Sequence, residues 1–112
     1  MGTRLNKRCE VCRKDSPQVS EEDMVRFLQE IPDWEHIDFE GVGRLRRTYT
    51  FPNFIEAVVF TNKVAELSEK EGHHPALLTE WGRVTVTWWT HKIKGLHVND
   101  FIMAAKTDEL IG

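Results

Sequence analysis

Four of the chain's five histidines fall between Glu69 and Asp100. Imidazole is the side chain whose ordinary pKa lies nearest neutrality. The stretch opens Glu69-Lys70-Glu71-Gly72-His73-His74-Pro75, runs through Trp88-Trp89-Thr90-His91, and closes on Gly95-Leu96-His97-Val98-Asn99-Asp100. Such a cluster suits proton transfer to and from a bound molecule, or capture of a metal ion. His73, His74, His91 and Asp100 could hold zinc. Against that, adjacent His73 and His74 lack the i, i+4 spacing with which a helix presents zinc ligands. Taken singly, each residue also has a structural explanation. His97 reads as a helix cap, His36 as a surface strand residue, and Asp100 as an ordinary first-turn acid.

Three element ends must converge for these residues to meet. The longest helical pattern runs from Phe54 to Lys70, opened by Asn53 and Glu56 at N-cap spacing and stopped by Gly72. His73 and His74 follow that stop, and Pro75 biases His74 toward extended backbone. Adjacent extended residues point in opposite directions, so the two need not share a role. Ala57, Val58, Val64 and Ala65 form an apolar stripe that Ile55, Val59 and Phe60 widen. That breadth suits a helix lying across a sheet, or one at a subunit contact.

Ala76 to Glu80 reads as a strand, Trp81-Gly82 as a turn, and Arg83 to Trp89 as a second strand. Val84, Val86 and Trp88 alternate onto one face, which makes Trp88 a core residue. Thr90 to Gly95 is a loop carrying His91. The last helix begins near His97 or Val98 and runs to about Leu110, with Asp100 in its first turn.

Upstream, Ser20 and Asp23 have capping-box spacing before Met24, Phe27, Leu28 and Ile31, and Pro32 stops that helix. Trp34 to Phe39 and Arg44 to Phe51 read as a hairpin across a Glu40-Gly41-Val42-Gly43 turn. Leu45, Tyr49 and Phe51 share a face on which Arg47 is the exception. The order is helix, two strands, helix, two strands, helix. The expected fold is α+β: a four-stranded antiparallel sheet covered on one face by helices.

Composition bounds the rest. A chain of 112 residues with 40% hydrophobic and 29% charged side chains fits one ordinary globular domain. Its 18 acidic against 15 basic residues leave −3, so nucleic acid is not the expected partner. No apolar run approaches the ~20 residues that span a bilayer. Met1 to Lys14 has no apolar core of the kind a secretory signal needs. A cytoplasmic protein is expected, with a flexible arm over residues 1–19 and a domain over 20–112. Cys9 and Cys12 form a Cys-x-x-Cys in the arm. Without a second such pair or a strand-to-helix setting, they read as reduced thiols, the alternatives being a zinc shared with histidines or a contact between subunits.

With these residues laid out, the chain resembles the pterin-4a-carbinolamine dehydratases. The family motif is an acid, then His-His-Pro, an aromatic, a further histidine and an aspartate. Glu69, His73-His74-Pro75, Trp81, His91 and Asp100 supply it here, and Gly95-Leu96 fits as well. The resemblance spans the folded part and leaves the arm outside.

It implies dehydration of a 4a-hydroxytetrahydropterin to the quinonoid dihydropterin, which recycles the cofactor of aromatic amino-acid hydroxylases. It also implies that no metal or added cofactor is needed, the pterin being the substrate. A homodimer or homotetramer is expected, with a functional link to such a hydroxylase. His73, His74, His91 and Asp100 become the expected catalytic set: His73 and His91 as acid and base, His74 holding the hydroxyl or ring, Asp100 fixing an imidazole. Glu69, Pro75, Trp81, Trp89 and Thr90 become the expected substrate-binding residues. His97 matches no motif position. The alternative is a non-catalytic binding or assembly module on the same fold.

Overall fold

The computed structural model describes residues 18–111. Helix α1 (Glu21–Glu30) starts where the Ser20 Oγ accepts the Asp23 N–H at 3.2 Å, satisfying a donor that a helix start leaves open. Glu21, Glu22 and Asp23 occupy its first turn, where negative charge is favoured. Strands β1 (Glu35–Phe39) and β2 (Val42–Thr50) form an antiparallel hairpin with Phe39 opposite Val42. The expected four-residue turn is shorter: Glu40 and Gly41 alone turn the chain, at φ 52° and 78°. Two successive left-handed residues match the twist of a hairpin, so the strands close sooner.

Helix α2 (Phe54–Glu71) is capped by Asn53, whose Oδ1 accepts the Glu56 N–H at 2.8 Å. Gly72 ends it at φ 67°, a backbone that glycine adopts without steric cost. The N–H groups of both Gly72 and His73 donate to Ser68 O. Within the chain α2 buries a narrower face than its sequence offers. Ala57, Phe60, Val64 and Ser68 are buried, whereas Ala65 is exposed and Phe54, Ile55 and Val59 stand in solvent.

Strands β3 (Ala76–Glu80) and β4 (Arg83–Trp88) complete an antiparallel sheet of order β1-β2-β4-β3. The ladder stops at Trp88, one residue before the expected end. Thr90 then makes an isolated bridge to Gly95 around the His91 loop. Leu45, Tyr49, Val84, Val86 and Trp88 line the covered face, where they meet Phe27, Phe60, Val64 and Phe101 in one core. Trp88 buries its indole and still satisfies its N–H, which donates to Thr107 Oγ1 at 3.1 Å.

Arg47 sits on that face because it has partners there. Its guanidinium pairs with Asp108 Oδ1 at 2.7 Å and lies over the Tyr49 ring at 4.3 Å. Asp108 closes helix α3 (Val98–Asp108) and also accepts from the Trp34 indole and the Tyr49 hydroxyl.

Gln18 and Val19, the last residues of the expected arm, are held against the domain. Val19 N donates to Leu96 O at 2.9 Å and Gln18 Nε2 to Ile93 O at 3.3 Å. Cys9 and Cys12 lie outside the described residues. Among the described residues, no helix is long and apolar enough to cross a membrane.

Candidate active site

His73 and His74 leave the end of α2 with their side chains in different environments, as alternation in extended chain requires. His73 turns inward. Its ring stacks on Trp88 with centroids 5.7 Å apart and planes 15° from parallel. Its Nε2 lies 2.7 Å from Asp100 Oδ1. His74 turns out to solvent and reaches back to Glu69, Nε2 to Oε2 at 2.6 Å. Both members of that outer pair are exposed, so the pair contributes at most about 1 kcal/mol.

Asp100 is fully buried. Such a carboxylate is tolerated only if its lone pairs are used. One oxygen faces His73. The other accepts the Thr90 hydroxyl at 2.7 Å and the His97 backbone N–H at 2.9 Å. The α3 N-terminus adds its positive end. His97 is the N-cap, with Nδ1 accepting the Asn99 N–H at 3.0 Å. The cap read from the sequence thus also helps hold Asp100.

All three neighbours of Asp100 can donate, so the carboxylate serves as acceptor throughout. His73 Nε2 then carries the hydrogen, and Nδ1 is left as the free acceptor. Among the described residues, Arg44 Nε is the one buried side-chain nitrogen or oxygen without a partner. Among the described residues nothing bonds His73 Nδ1, and it is not one of the buried unpartnered atoms, so it is open to solvent. An imidazole held by one edge in this way can act as a general base or acid through the other.

His91 is exposed and packs on Trp89, with ring centroids 4.5 Å apart. The Arg44 guanidinium covers Trp89 at 4.0 Å and Phe39 at 4.7 Å, close enough for cation–π attraction. Trp88 and Trp89 alternate across the end of β4, so His73 and His91 stack from opposite faces of the same strand end. Thr90, between Trp89 and His91, ties the loop to Asp100.

The structure therefore joins His73, Asp100 and Thr90 in one buried unit. It puts His74, Glu69 and half-buried Pro75 beside that unit, and His91 with Trp89 around the strand end. Trp81 is not brought to the cluster. It stands 73% exposed at the far end of the β3–β4 hairpin, about 17 Å away by the strand rise of ~3.3 Å per residue. Sequence reasoning missed Arg44, whose place over Trp89 depends on β2 lying beside β4, and the stacking of Trp88 on His73, which depends on the end of α2 meeting the end of β4. Among the described residues, no group of three or more His, Cys, Asp or Glu side chains is arranged to hold a metal ion.

The family model for pterin 4 alpha carbinolamine dehydratase matches residues 17–110. A protein of Nitrosococcus oceani with the provisional name pterin-4-alpha-carbinolamine dehydratase is 59% identical over 103 residues, 92% of this chain and 91% of that one. A Syntrophotalea carbinolica protein with the same provisional name is also 59% identical, covering 92% of each. Among solved structures, a transcriptional coactivator/pterin dehydratase from Brucella melitensis superposes with a TM-score of 0.77 at 29% identity, over 86% of this chain and 100% of that one. A pterin dehydratase-like protein described as a RuBisCO assembly factor of the alpha-carboxysome shares the fold, with a TM-score of 0.61 at 23% identity, over 71% of this chain and 90% of that one. On the family match and these identities, the chain belongs to the pterin-4a-carbinolamine dehydratase family.

Proposed function

We propose that this chain dehydrates a 4a-hydroxytetrahydropterin, giving the quinonoid dihydropterin and water by acid–base catalysis on histidines. The C4a–O bond breaks, the oxygen leaves as water with a donated proton, N5 loses its proton, and a C4a=N5 bond forms. The carrying observation is the His73–Asp100 pair. An imidazole fixed at Nε2 by a buried carboxylate, and open at Nδ1, suits accepting the N5 proton. The same carboxylate stabilises the imidazolium that results. His91, exposed on its loop, is then the acid for the leaving hydroxyl, and His74 with Glu69 holds the hydroxyl or ring. Trp89 and Pro75 offer flat and rigid walls to a flat heterocycle, and the backbone near Thr90 offers an edge to its amide. Trp81 has no part in this site within one chain.

In this reading no metal or further cofactor takes part. The product returns to an aromatic amino-acid hydroxylase, and the chain works in the cytoplasm as a homodimer or homotetramer. The test is a dehydratase assay on the full chain, followed by the appearance of quinonoid dihydropterin. His91→Ala and His74→Ala are the informative variants because both side chains are exposed. Loss of about 10²–10⁴-fold in kcat for His91→Ala is the expected result. A wild-type chain with no activity would favour the alternative, a binding or assembly module on this fold.

A further inference from the structure

The loop that carries His91 is not held by its own residues alone. Thr90 and Gly95 close it through Thr90 N to Gly95 O at 2.9 Å and Gly95 N to Thr90 O at 3.4 Å. Between them, Lys94 takes a positive φ of 50°, which is uncommon for a residue with a side chain. From outside, the segment before α1 lies across the loop. Its Gln18 Nε2 donates to Ile93 O and its Val19 N to Leu96 O, one on each side of Gly95.

The Gln18 carboxamide rests on Gly95 itself. A Cβ at Gly95 would sit 2.9 Å from Gln18 Cδ and 3.0 Å from both amide heteroatoms. Gly95 has no positive φ, so alanine is opposed there by the Gln18 amide and not by the backbone. This close approach gives position 95 a specific reason to be glycine.

From these contacts we infer that Gln18 is a positioning residue for the dehydration: its amide, seated on Gly95 and donating to Ile93, fixes the Thr90–Gly95 loop and so the placement of His91. The inference rests on the dehydratase reading above. Gln18 reaches no reacting atom; it acts through the loop. Thr90 connects the same loop to Asp100, so one strap registers the exposed imidazole against the buried pair. A Gln18 amide is the far end of a flexible side chain, so an alanine at position 95 would push it aside. Gly95→Ala and Gln18→Ala should therefore remove the same contact.

The experiment measures kcat and KM for wild type, Gln18→Ala, Gln18→Glu, Gly95→Ala and the Gln18→Ala/Gly95→Ala double variant. Gln18→Glu keeps the shape and loses the donated hydrogen. Each single variant should lower kcat about tenfold, with KM within about threefold. That is below the ~10²-fold that a 1 Å misplacement costs. The double variant should be no worse than either single one, because shared contacts are non-additive. In parallel, the His91 ring signal, identified through His91→Ala, should move in the NMR spectrum of Gln18→Ala. Gln18→Ala within twofold of wild type, or a double variant with the product of the single losses, overturns the inference. If the wild type shows no dehydration, the dehydratase reading fails by itself. The His91 signal then decides the strap, a shift supporting it and an unchanged signal overturning it.

Discussion

At the scale of single residues, the site divides into groups that hold and groups that are free to act. His73 is both, and this shapes what its removal would do. His73→Ala takes one donor from a buried carboxylate that keeps two others, Thr90 and His97 N–H. Leaving part of a buried acceptor unsatisfied costs about 1–3 kcal/mol. The variant should therefore unfold at lower urea as well as lose activity. His91→Ala and His74→Ala alter exposed side chains and should change stability by no more than about 1 kcal/mol. Urea midpoints beside turnover separate the two cases. Equal midpoints for His73→Ala and wild type would show that the His73–Asp100 contact contributes nothing to the fold. Asp100 itself was legible as a first-turn acid, and the resemblance implied an imidazole beside it, but its burial and the choice of His73 were not legible. Those arise from contacts across 27 residues of sequence, which no local pattern encodes.

At the scale of elements, the ends were more legible than the faces. Ser20, Asn53, Gly72 and His97 could be read as helix boundaries because caps are local chemistry, satisfied within three or four residues. The β1–β2 turn was misread because nothing in Glu40 announces a left-handed backbone. Part of the broad apolar face of α2 stays uncovered within one chain, because apolar periodicity reports what can be buried and not which neighbour buries it. The strand order is a property of pairing, and with it went Arg44 against Trp89. The α3 cap shows how an element end serves the site. His97→Ala removes the acceptor for Asn99 N–H and should cost about 1 kcal/mol. For a domain of this size that lowers Tm by about 4–8 °C. His97→Asn restores a cap and should recover most of the loss. Turnover should fall with His97→Ala and return with His97→Asn, since Asp100 sits in that first turn. Unchanged Tm in the alanine variant would mean that another group takes over the cap.

At the scale of the whole molecule, α3 is tied at both ends by carboxylates. Asp100 binds it to the ends of α2 and β4. Asp108 binds it to β2 through Arg47 and Tyr49, and to Trp34 after α1. The first tie faces the proposed chemistry and the second keeps the scaffold behind it. The second tie has a consequence at high pH. Burial first, and then the hydrogen bond to Asp108, push the Tyr49 hydroxyl well above its ordinary value of 10.0. The unfolded chain loses this proton near pH 10 while the folded chain keeps it, so the folded state binds more protons above that pH. Stability from this group is therefore complete below about pH 10 and falls as pH rises beyond it. The sequence holds one tyrosine, so phenolate absorbance reports Tyr49 alone. On raising the pH, that absorbance should appear together with loss of the folded circular dichroism signal, not before it. Tyr49→Phe should be less stable at neutral pH by about 1 kcal/mol for the lost hydrogen bond. It should also show a shallower fall in urea midpoint above pH 10. A phenolate that forms near pH 10 in the folded protein would show that Asp108 and burial do not hold the proton on Tyr49.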